Sequence, residues 1–380
     1  MSTIRVVRLR DFDALLLLAA LGLVGLGTLL IYSGSFSQFG TPEGLDFSHP
    51  VVRQVAFAAA GLLLALLFTR IDYRTLGNVS IGLYVAAVAS LLFVLVEGEV
   101  THGSRRWILI GGTPVQPSEL AKLIVIIALA KYLADHQEQM DSARVFLTSL
   151  VIAAVPAALV FAQPDLGSAV IFAAVWFGMA VVGGARWKHV GVLVSAGIVA
   201  VQFTFIGLVS DYQRERIALW LDPGRDPLGA GFQALQAKIG IGSGGMFGKG
   251  LTHGSQTQLD FLRTETTDYV FSVLGEELGF VGALLLFGLF LVLLWRALRV
   301  AELSRDMFGR LLATGMVIYI LLQTFINVGV NLGLLPVTGI PLPFVSQGGS
   351  SLIALLIGLG ILQSILLRHR PFTFRTFYGG

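Results

Sequence analysis

The feature of this sequence that most limits its fold is a series of long apolar runs. Each is close to the length of about 20 residues that an α-helix needs to cross the hydrocarbon core of a bilayer. Membrane barrel strands would instead alternate apolar and polar residues over about ten positions. The runs cover residues 12–33, 51–69, 78–96, 117–134, 145–162, 166–183, 188–209, 269–295, 311–330 and 349–367.

Composition supports the same fold class. The chain has 380 residues, of which 55% are hydrophobic and 13% charged, whereas soluble proteins carry about 25% charged residues. We predict an all-α integral membrane protein, a single polytopic domain over residues 1–380 with about ten transmembrane helices. The first run is long and lacks a small-residue cleavage site, so we interpret it as a retained helix. The absence of cysteine excludes disulfides and thiolate metal sites.

The positions of arginine and lysine predict the orientation in the membrane. With ten spans, the basic residues around the span ends collect on one face, which the positive-inside rule makes cytoplasmic. Both termini are then cytoplasmic. We attribute the net charge of +3 to the basic residues on the cytoplasmic face and not to nucleic-acid binding. The residues concerned are Arg5, Arg8, Arg10, Arg70, Arg74, Lys131, Arg144, Arg186, Lys188, Arg296, Arg299, Arg305, Arg310, Arg368, Arg370 and Arg375.

Residues from about 210 to 280 form the longest stretch that cannot lie in hydrocarbon, and within it we predict a large extracytoplasmic loop over residues 210–268, between spans seven and eight. Arg214 and Arg216 lie just outside span seven. Apolar residues at helical spacing between 232 and 241, with Lys238 on another face, predict a short amphipathic helix at the interface.

A glycine cluster, GSGGMFGKG, follows this short helix and ends around Lys249. Because Gly250 occupies the position where a nucleotide-binding P-loop requires serine or threonine, that kind of site is excluded. An anion-binding nest and an ordinary flexible turn both stay open.

The strongest chemical candidate is Asp268, at the end of the TTD motif that leads into span eight. We expect Thr266 or Thr267 to cap the helix and Asp268 to lie in its first turn, although a plain capping aspartate is the alternative. A helix N-terminus stabilises such a carboxylate by about 0.3–1 kcal/mol. Glu276 and Glu277 follow on the same helix, and at least one should face the bundle interior.

A second polar group surrounds the start of span four. Gln116, Pro117, Ser118 and Glu119 predict a helix beginning with a polar cap and a proline in the first turn. Lys122 follows Glu119 by three residues on the same face. The pair forms either a structural salt bridge or part of a cavity or substrate path.

Three further features lie near the predicted outer surface. Arg106 and Trp107 suit an interfacial anchor, and Asp165, in the tight turn QPDLGS, is either a helix cap or a surface carboxylate. Asn327 and Asn331 share one face of span nine as interhelical hydrogen-bonding groups. The irregular segment VTGIPLPFVSQGGSS after them should line a cavity or be buried in protein.

Several functional classes remain open on these grounds. A transporter could use the buried charges, whereas a channel lacks a repeated pore motif and a pure scaffold does not need so many charges at one face. An enzyme acting on a lipid-linked substrate needs a carboxylate base, cations for a phosphate and a groove for an acyl chain. All these parts are present at the predicted outer face, which favours the enzyme.

Taken together, the motifs resemble the SEDS proteins (shape, elongation, division and sporulation), most closely the members that act in elongation. The resemblance extends over most of the chain from span four onward. It is carried by WILIGGTPVQPSELAK, QPDLGS, DYQRERI, LDPGRDPLGAGFQALQAKIGIGSGGMFGKGLTHGSQTQLDFL, TTDYVFSVLGEELG and LPVTGIPLPFVSQGGSS.

This resemblance implies a ten-helix peptidoglycan glycosyltransferase of the bacterial inner membrane, with its active site on the extracytoplasmic face. It would polymerise lipid II by forming β-1,4 bonds with inversion and releasing undecaprenyl pyrophosphate, alongside a class B penicillin-binding protein of the PBP2 type and other membrane proteins of the elongation complex. Asp268 is then the catalytic base. A divalent cation, Mg²⁺ or Mn²⁺, stays open as a helper. The expected substrate-binding residues are Arg106, Trp107, Gln116, Ser118, Glu119, Lys122, Asp165, Arg214, Arg216, Lys238, Lys249, Thr267 and Ser346.

The sequence departs from the family pattern at several motif positions. Thr266 stands where histidine is common, Arg263 where proline is, and Gln347, after Ser346, where tyrosine is. These changes leave Asp268 untouched. Two alternative functions remain: a lipid II flippase, which needs no base, and a non-catalytic scaffold that activates its penicillin-binding partner.

Overall fold

The structure, a computed structural model, describes residues 12–42, 44, 46–101, 104–110, 113–192, 195, 211–226, 229–259, 261 and 266–369. It is dominated by helices. Those of the first half are α1 (Ala14–Phe39), α2 (Pro50–Arg70), α3 (Tyr73–Glu97), α4 (Pro117–Asp135), α5 (Ala143–Ala162) and α6 (Leu166–Val182). Those of the second half are α7 (Asp211–Leu221), α8 (Ala230–Ser243), α9 (Ser255–Gln258), α10 (Val270–Leu303), α11 (Met307–Asn331) and α12 (Gly349–Leu367).

The predicted all-α membrane fold is confirmed. Within the described part of the chain, seven helices are long and apolar enough to cross a membrane, namely α1, α2, α3, α5, α10, α11 and α12. Two more predicted spans correspond to α4, which carries several charged residues, and to α6, which is apolar but has 17 residues. The predicted span at 188–209 lies mostly outside the described residues.

Helices α11 and α12 form the centre of the bundle. In their apolar windows 72% and 78% of the residues are buried, against 22% in both α2 and α3. Helix α12 packs along α2, and α11 packs against α4, α6 and α10. Gly360 of α12 lies directly on the backbone of Ala65 in α2, a close approach of the kind that small residues permit between membrane helices.

Several short segments outside the spans lie at the end of the bundle where α4 and α10 begin, the face predicted to be extracytoplasmic. There the chain also forms an antiparallel sheet of β1 (Glu99–Thr101), β2 (Ser104–Ile110) and β3 (Thr113–Val115), which the sequence did not predict. Helix α8 covers residues 232–241, where the sequence predicted a short amphipathic helix, and its place at the membrane interface stays a prediction. The loop predicted over residues 210–268 is more helical than expected, because α7 and α9 also form within it.

The glycine cluster is neither a flexible turn nor an anion-binding nest in this structure, because α10 engages its backbone. Helix α10 breaks at Gly279, whose φ is 63°. The N–H groups of Lys249 and Gly250 donate to the carbonyls of Glu276 and Glu277, both at 3.0 Å. In return, Gly245 O accepts from Phe280 N at 2.9 Å and Met246 O accepts from Val281 N at 3.0 Å. The cluster therefore replaces the helical bonds that the break removes.

We predict that Gly279→Ala destabilises the protein. Its positive φ costs a residue with a Cβ about 1–2 kcal/mol, and the added Cβ would also collide with Gly248 N. Thermal unfolding in detergent, followed by intrinsic fluorescence, should show a lower midpoint. Gly288→Ala in the same helix is the control, because a Cβ there meets no atom within 4 Å. Equal midpoints for the two variants would show that the helix break at position 279 does not require glycine.

Candidate active site

A cavity of about 760 Å³ opens at the end of the bundle where α4, α10 and α12 begin. We call this end the cavity side. Its walls come from the small sheet, from α7 and α8, and from the irregular segment 332–348 between α11 and α12. The prediction that this irregular segment lines a cavity is confirmed. The polar and charged residues of the lining are Arg106, Trp107, Gln116, Arg216, Trp220, Gln233, Lys238, Thr266, Thr267, Asp268, Tyr269, Gln347, Ser350 and Ser351.

The backbone around Asp268 is held by two asparagines of α11. Asn331 Nδ2 donates to Asp268 O at 2.8 Å, and Asn327 Nδ2 donates to the same oxygen at 3.1 Å. Asn331 Oδ1 accepts from both the N–H and the hydroxyl of Ser272, at 3.0 and 2.7 Å. Both asparagines are buried. Their predicted hydrogen-bonding role is confirmed, and their partners include the backbone of the candidate base.

The two residues before Asp268 are held by hydrogen bonds from Ser346 and Gln347, in the segment between α11 and α12. Ser346 Oγ donates to Thr267 O. Gln347 N donates to Thr266 O at 2.8 Å, and Thr266 Oγ1 donates to Gln347 Oε1 at 2.8 Å. Three successive carbonyls, from Thr266 to Asp268, are thus each hydrogen-bonded to the segment 327–347. We call this arrangement the carbonyl clamp.

The position predicted for Asp268 within its helix is wrong by two or three residues. Helix α10 begins at Val270, with Tyr269 as its N-cap and no capping bond from a side chain. Neither Thr266 nor Thr267 caps the helix, because the carbonyl clamp holds residues 266–268 in a turn outside it. Asp268 therefore precedes the helix, and its side chain lines the cavity.

Arg106 of β2 is held rigidly beside the candidate base. Its Nε donates to Gln163 O at 3.1 Å, and its Nη2 donates to Pro164 O. Its Nη1 lies 3.9 Å from Asp165 Oδ1. The side chain is therefore fixed by the turn between α5 and α6, and it lines the cavity rather than serving as a headgroup anchor.

Gly339 lies between the base and this arginine. Its φ is +74°, and a Cβ built on it would lie 3.8 Å from both Arg106 Nη1 and Asp268 Oδ2. The backbone therefore approaches both charged groups closely, and a larger residue would enter the space between them.

Electrostatics at Asp268 favour a proton acceptor. Burial by the surrounding protein raises the pKa of Asp268 above its ordinary value, although the positive charges of Arg216 and Arg106 and a hydrogen bond from Thr267 oppose the rise. Arg216 is anchored through Nη1 to Val337 O at 2.7 Å. A carboxylate with a raised pKa is the stronger base at neutral pH.

Lys238 adds a third cation to the cavity wall. Its side chain lies directly over Gly333, where a Cβ would collide with the end of the lysine chain. Trp220 closes the same wall by donating Nε1 to Gly333 O at 3.0 Å.

Six of the predicted substrate-binding residues line the cavity: Arg106, Trp107, Gln116, Arg216, Lys238 and Thr267. Gln116 occupies the N-cap of α4 but makes no capping bond with its side chain, so its predicted capping role is wrong. Its backbone N–H donates to Ser350 Oγ at 3.0 Å instead.

The other predicted residues lie outside the lining. Glu119 and Lys122 are buried and form a salt bridge of 2.7 Å, to which Tyr319 adds a hydrogen bond on Glu119 Oε2 at 3.1 Å. Lys249 pairs with Glu276 Oε1 at 2.7 Å. Asp165 caps α6 through Ser168 N, Arg214 is exposed, and Ser118 and Ser346 are buried.

Sequence reasoning did not single out several polar residues of the lining, among them Trp220, Gln233 and Ser350. Gln233 carried a signal, since it is a polar residue outside the apolar face of the predicted amphipathic helix. Gln347 was noticed as a departure from the family pattern, but its contact with Thr266 depends on residues 81 positions apart.

The described residues do not provide a set of side chains that could bind a metal ion without ligands from the substrate. They contain no group of three or more histidine, aspartate or glutamate side chains placed to bind an ion. In the described lining, Asp268 is the one carboxylate, and the other charged groups are cations.

The fold and the site together define a multi-pass α-helical membrane protein whose cavity combines one carboxylate with fixed cations. The chain matches the family model of FtsW, RodA and SpoVE, described as cell cycle proteins, over residues 13–370, and it belongs to that family. This confirms the family that the motifs indicated.

Relatives and solved structures are similar over nearly the whole chain. Peptidoglycan glycosyltransferase MrdB of Escherichia coli K12 is 37% identical over 353 residues, which cover 93% of each protein. A chain from a peptidoglycan synthase complex that coordinates polymerization and crosslinking matches with a TM-score of 0.77 and 32% identity, covering 93% of this chain and 97% of that one. Rod shape determining protein RodA of Thermus thermophilus matches with a TM-score of 0.68 and 32% identity, covering 94% and 96%.

We predict that Asn331→Leu loosens the carbonyl clamp. Each lost hydrogen bond is worth about 1 kcal/mol, which corresponds to about a fivefold faster local opening. Hydrogen–deuterium exchange should accelerate at the Gln347 amide and in peptides covering residues 266–270. Thr324→Val is the control, because that hydroxyl bonds to Ile320 O within its own helix. Unchanged exchange in the Asn331 variant would mean that the asparagine does not hold this segment.

Proposed function

We propose that this protein is a peptidoglycan glycosyltransferase that polymerises lipid II into glycan strands. The observation that carries the proposal is the placement of the Asp268 carboxylate in a cavity beside Arg106 and Arg216. The glycosyltransferase name of the Escherichia coli relative supports it. So does the apolar lipid-facing bundle around the cavity, since the substrate is anchored in the membrane by its polyprenyl chain.

In the proposed mechanism Asp268 acts as the general base. It takes the proton from the 4-hydroxyl of the acceptor sugar while that oxygen attacks the anomeric carbon of the donor. The bond from this carbon to the pyrophosphate breaks with inversion, so an α-linked donor gives a β-1,4 bond and undecaprenyl pyrophosphate. Such a base contributes about 10² to 10⁴ in rate. The carbonyl clamp supports this role because it fixes the backbone of the base before substrate binds.

We propose a ranking of the cations that the sequence left equal. Arg106, Arg216 and Lys238 line the cavity with Asp268, so we assign the departing pyrophosphate to them. Lys122 and Lys249 are engaged in ion pairs outside the lining. We therefore propose that these two lysines stabilise the fold and do not bind substrate.

A divalent cation enters this proposal only with the substrate. The described lining does not fit a metal bound by protein alone, whereas Mg²⁺ is commonly held by one or two carboxylates together with substrate phosphates. We infer that any Mg²⁺ or Mn²⁺ that the reaction uses arrives bound to the pyrophosphate. Polymerisation assays in EDTA, with each cation then restored, test this inference.

The partner and the location are proposed on the same basis. The match to a chain from a peptidoglycan synthase complex supports a class B penicillin-binding protein as partner. We propose the bacterial inner membrane as the location, with the cavity on the extracytoplasmic face, because the basic residues at the span ends collect on the opposite face.

We predict that Asp268→Asn lowers the polymerisation rate by about 10² to 10⁴, because the amide keeps the shape of the side chain but cannot accept the proton. The measurement is gel analysis of glycan strands made from labelled lipid II, with and without a class B penicillin-binding protein. Asp222→Asn, on an exposed side chain outside the lining, is the control.

Three outcomes would overturn the proposal. Wild-type rates in the Asp268 variant would remove the assigned base. Lipid II movement across vesicles that survives the substitution, with no polymer from the wild-type protein, would favour a flippase, and full growth support by the Asp268 variant would favour a scaffold.

We predict that activity falls at acidic pH and that Arg216 sets the pH at which this acidic limb of the pH–rate profile lies. The base works when ionised, so activity is present above the pKa of Asp268 and is lost as the pH falls through it. Arg216 lowers this pKa, so Arg216→Gln should raise it and move the limb to higher pH. Arg214→Gln, two residues away and outside the lining, should leave the limb in place. The same limb in both variants would contradict the assignment.

A further inference from the structure

The tip of the glycine cluster presents apolar side chains on the outside of the bundle. Residues 244–248 read GGMFG and carry no charge. Phe247 is 80% exposed and Met246 is 59% exposed. Large exposed apolar side chains at a loop tip indicate contact with lipid or with another protein, since exposing such a patch to water is unfavourable.

The depth of this tip follows from its hydrogen bonds to α10. Gly245 and Met246 bond to Phe280 and Val281, so the tip runs beside the third and fourth turns of the helix rather than above its start. The other end of the span is marked by Trp295 and then by Arg296 and Arg299, an aromatic residue followed by basic ones, as is typical of a cytoplasmic boundary.

Counting back about 20 residues from Trp295, the length that crosses the hydrocarbon core, reaches Gly275. The bonds between the cluster and residues 276–281 therefore lie at the outer edge of the hydrocarbon. Irregular backbone is tolerated at that depth when its polar groups are paired. The exchange of N–H and carbonyl bonds between the cluster and α10 provides this pairing.

The surface around the tip continues into the lipid-facing side of the span. Phe280, beside the tip, is 59% exposed, and Leu284, one turn further, is 61% exposed. The nearest cation, Lys249, is tied back to Glu276 and away from the tip. An apolar strip thus runs without a charge from Phe247 down α10, which suits acyl chains better than water or a polar protein surface.

We infer that the tip of the glycine cluster is a membrane wedge, in which Met246 and Phe247 are inserted among the phospholipid acyl chains of the leaflet on the cavity side. The cluster is then a part of the membrane-embedded body, although its sequence is that of a polar loop. This wedge fixes the break in α10 at the edge of the hydrocarbon, and it stands independently of the proposed catalytic function.

The chain contains no cysteine, so a single introduced thiol gives one labelling site. The experiment places a nitroxide at Phe247→Cys in the full chain, in nanodiscs of phosphatidylcholine and phosphatidylglycerol. Collision rates are measured with oxygen, which concentrates in lipid, and with a water-soluble nickel chelate. Leu284→Cys is the lipid-facing reference, and Glu302→Cys, on an exposed side chain in the last turn of α10 beyond Arg296 and Arg299, is the aqueous reference.

The expected ratio of oxygen to nickel collisions at position 247 matches that at 284 and is severalfold above that at 302. Met246→Cys should give the same result, and it serves if the Phe247 variant does not fold. A ratio at 247 equal to that at 302 would place the tip in water and overturn the inference. Low collision rates with both reagents would also overturn it, because they would show that protein covers the tip.

Discussion

Every backbone N–H and carbonyl inside a bilayer needs a partner within the protein, and this constraint governs the places where the chain leaves regular helix. At Gly279 the partners come from the glycine cluster. In the segment 332–348 they are side chains: Asn327 donates to Ile340 O at 2.8 Å, and Gln323 donates to Pro341 O at 2.9 Å. The segment 332–348, held by such bonds, lines the cavity.

The sequence predicted those features that depend on neighbours along the chain. The spans follow from local hydrophobicity, and the Glu119–Lys122 pair follows from helical spacing. Contacts between distant segments could not be predicted in the same way. The pairing of Lys249 with Glu276 and the bond from Asn331 to the Asp268 carbonyl join residues 27 and 63 positions apart. For the same reason the start of α10 was misplaced, since the carbonyl clamp overrides the local capping preference of the threonines.

Two departures from the family pattern contact each other. Thr266, where histidine is common, and Gln347, where tyrosine is common, exchange a side-chain bond and a backbone bond, both 2.8 Å long. The two positions therefore form one structural unit, and a change at one is compatible with a change at the other when the hydrogen bond is kept. The unit holds the turn before Asp268 without an imidazole or a phenol.

Arg106 shows what such anchoring means for ligand recognition. Its guanidinium already donates to the carbonyls of the α5–α6 turn before any substrate arrives. An arginine immobilised in this way loses little rotamer entropy when it meets an anion, a loss that otherwise costs about 0.5–1.5 kcal/mol per side chain. A lysine has three donors on one nitrogen but lacks the planar fork, so it cannot bond two carbonyls and an anion in the same fixed geometry. Position 106 consequently distinguishes arginine from lysine, although the two carry equal charge, because its contribution depends on a rigidly held side chain.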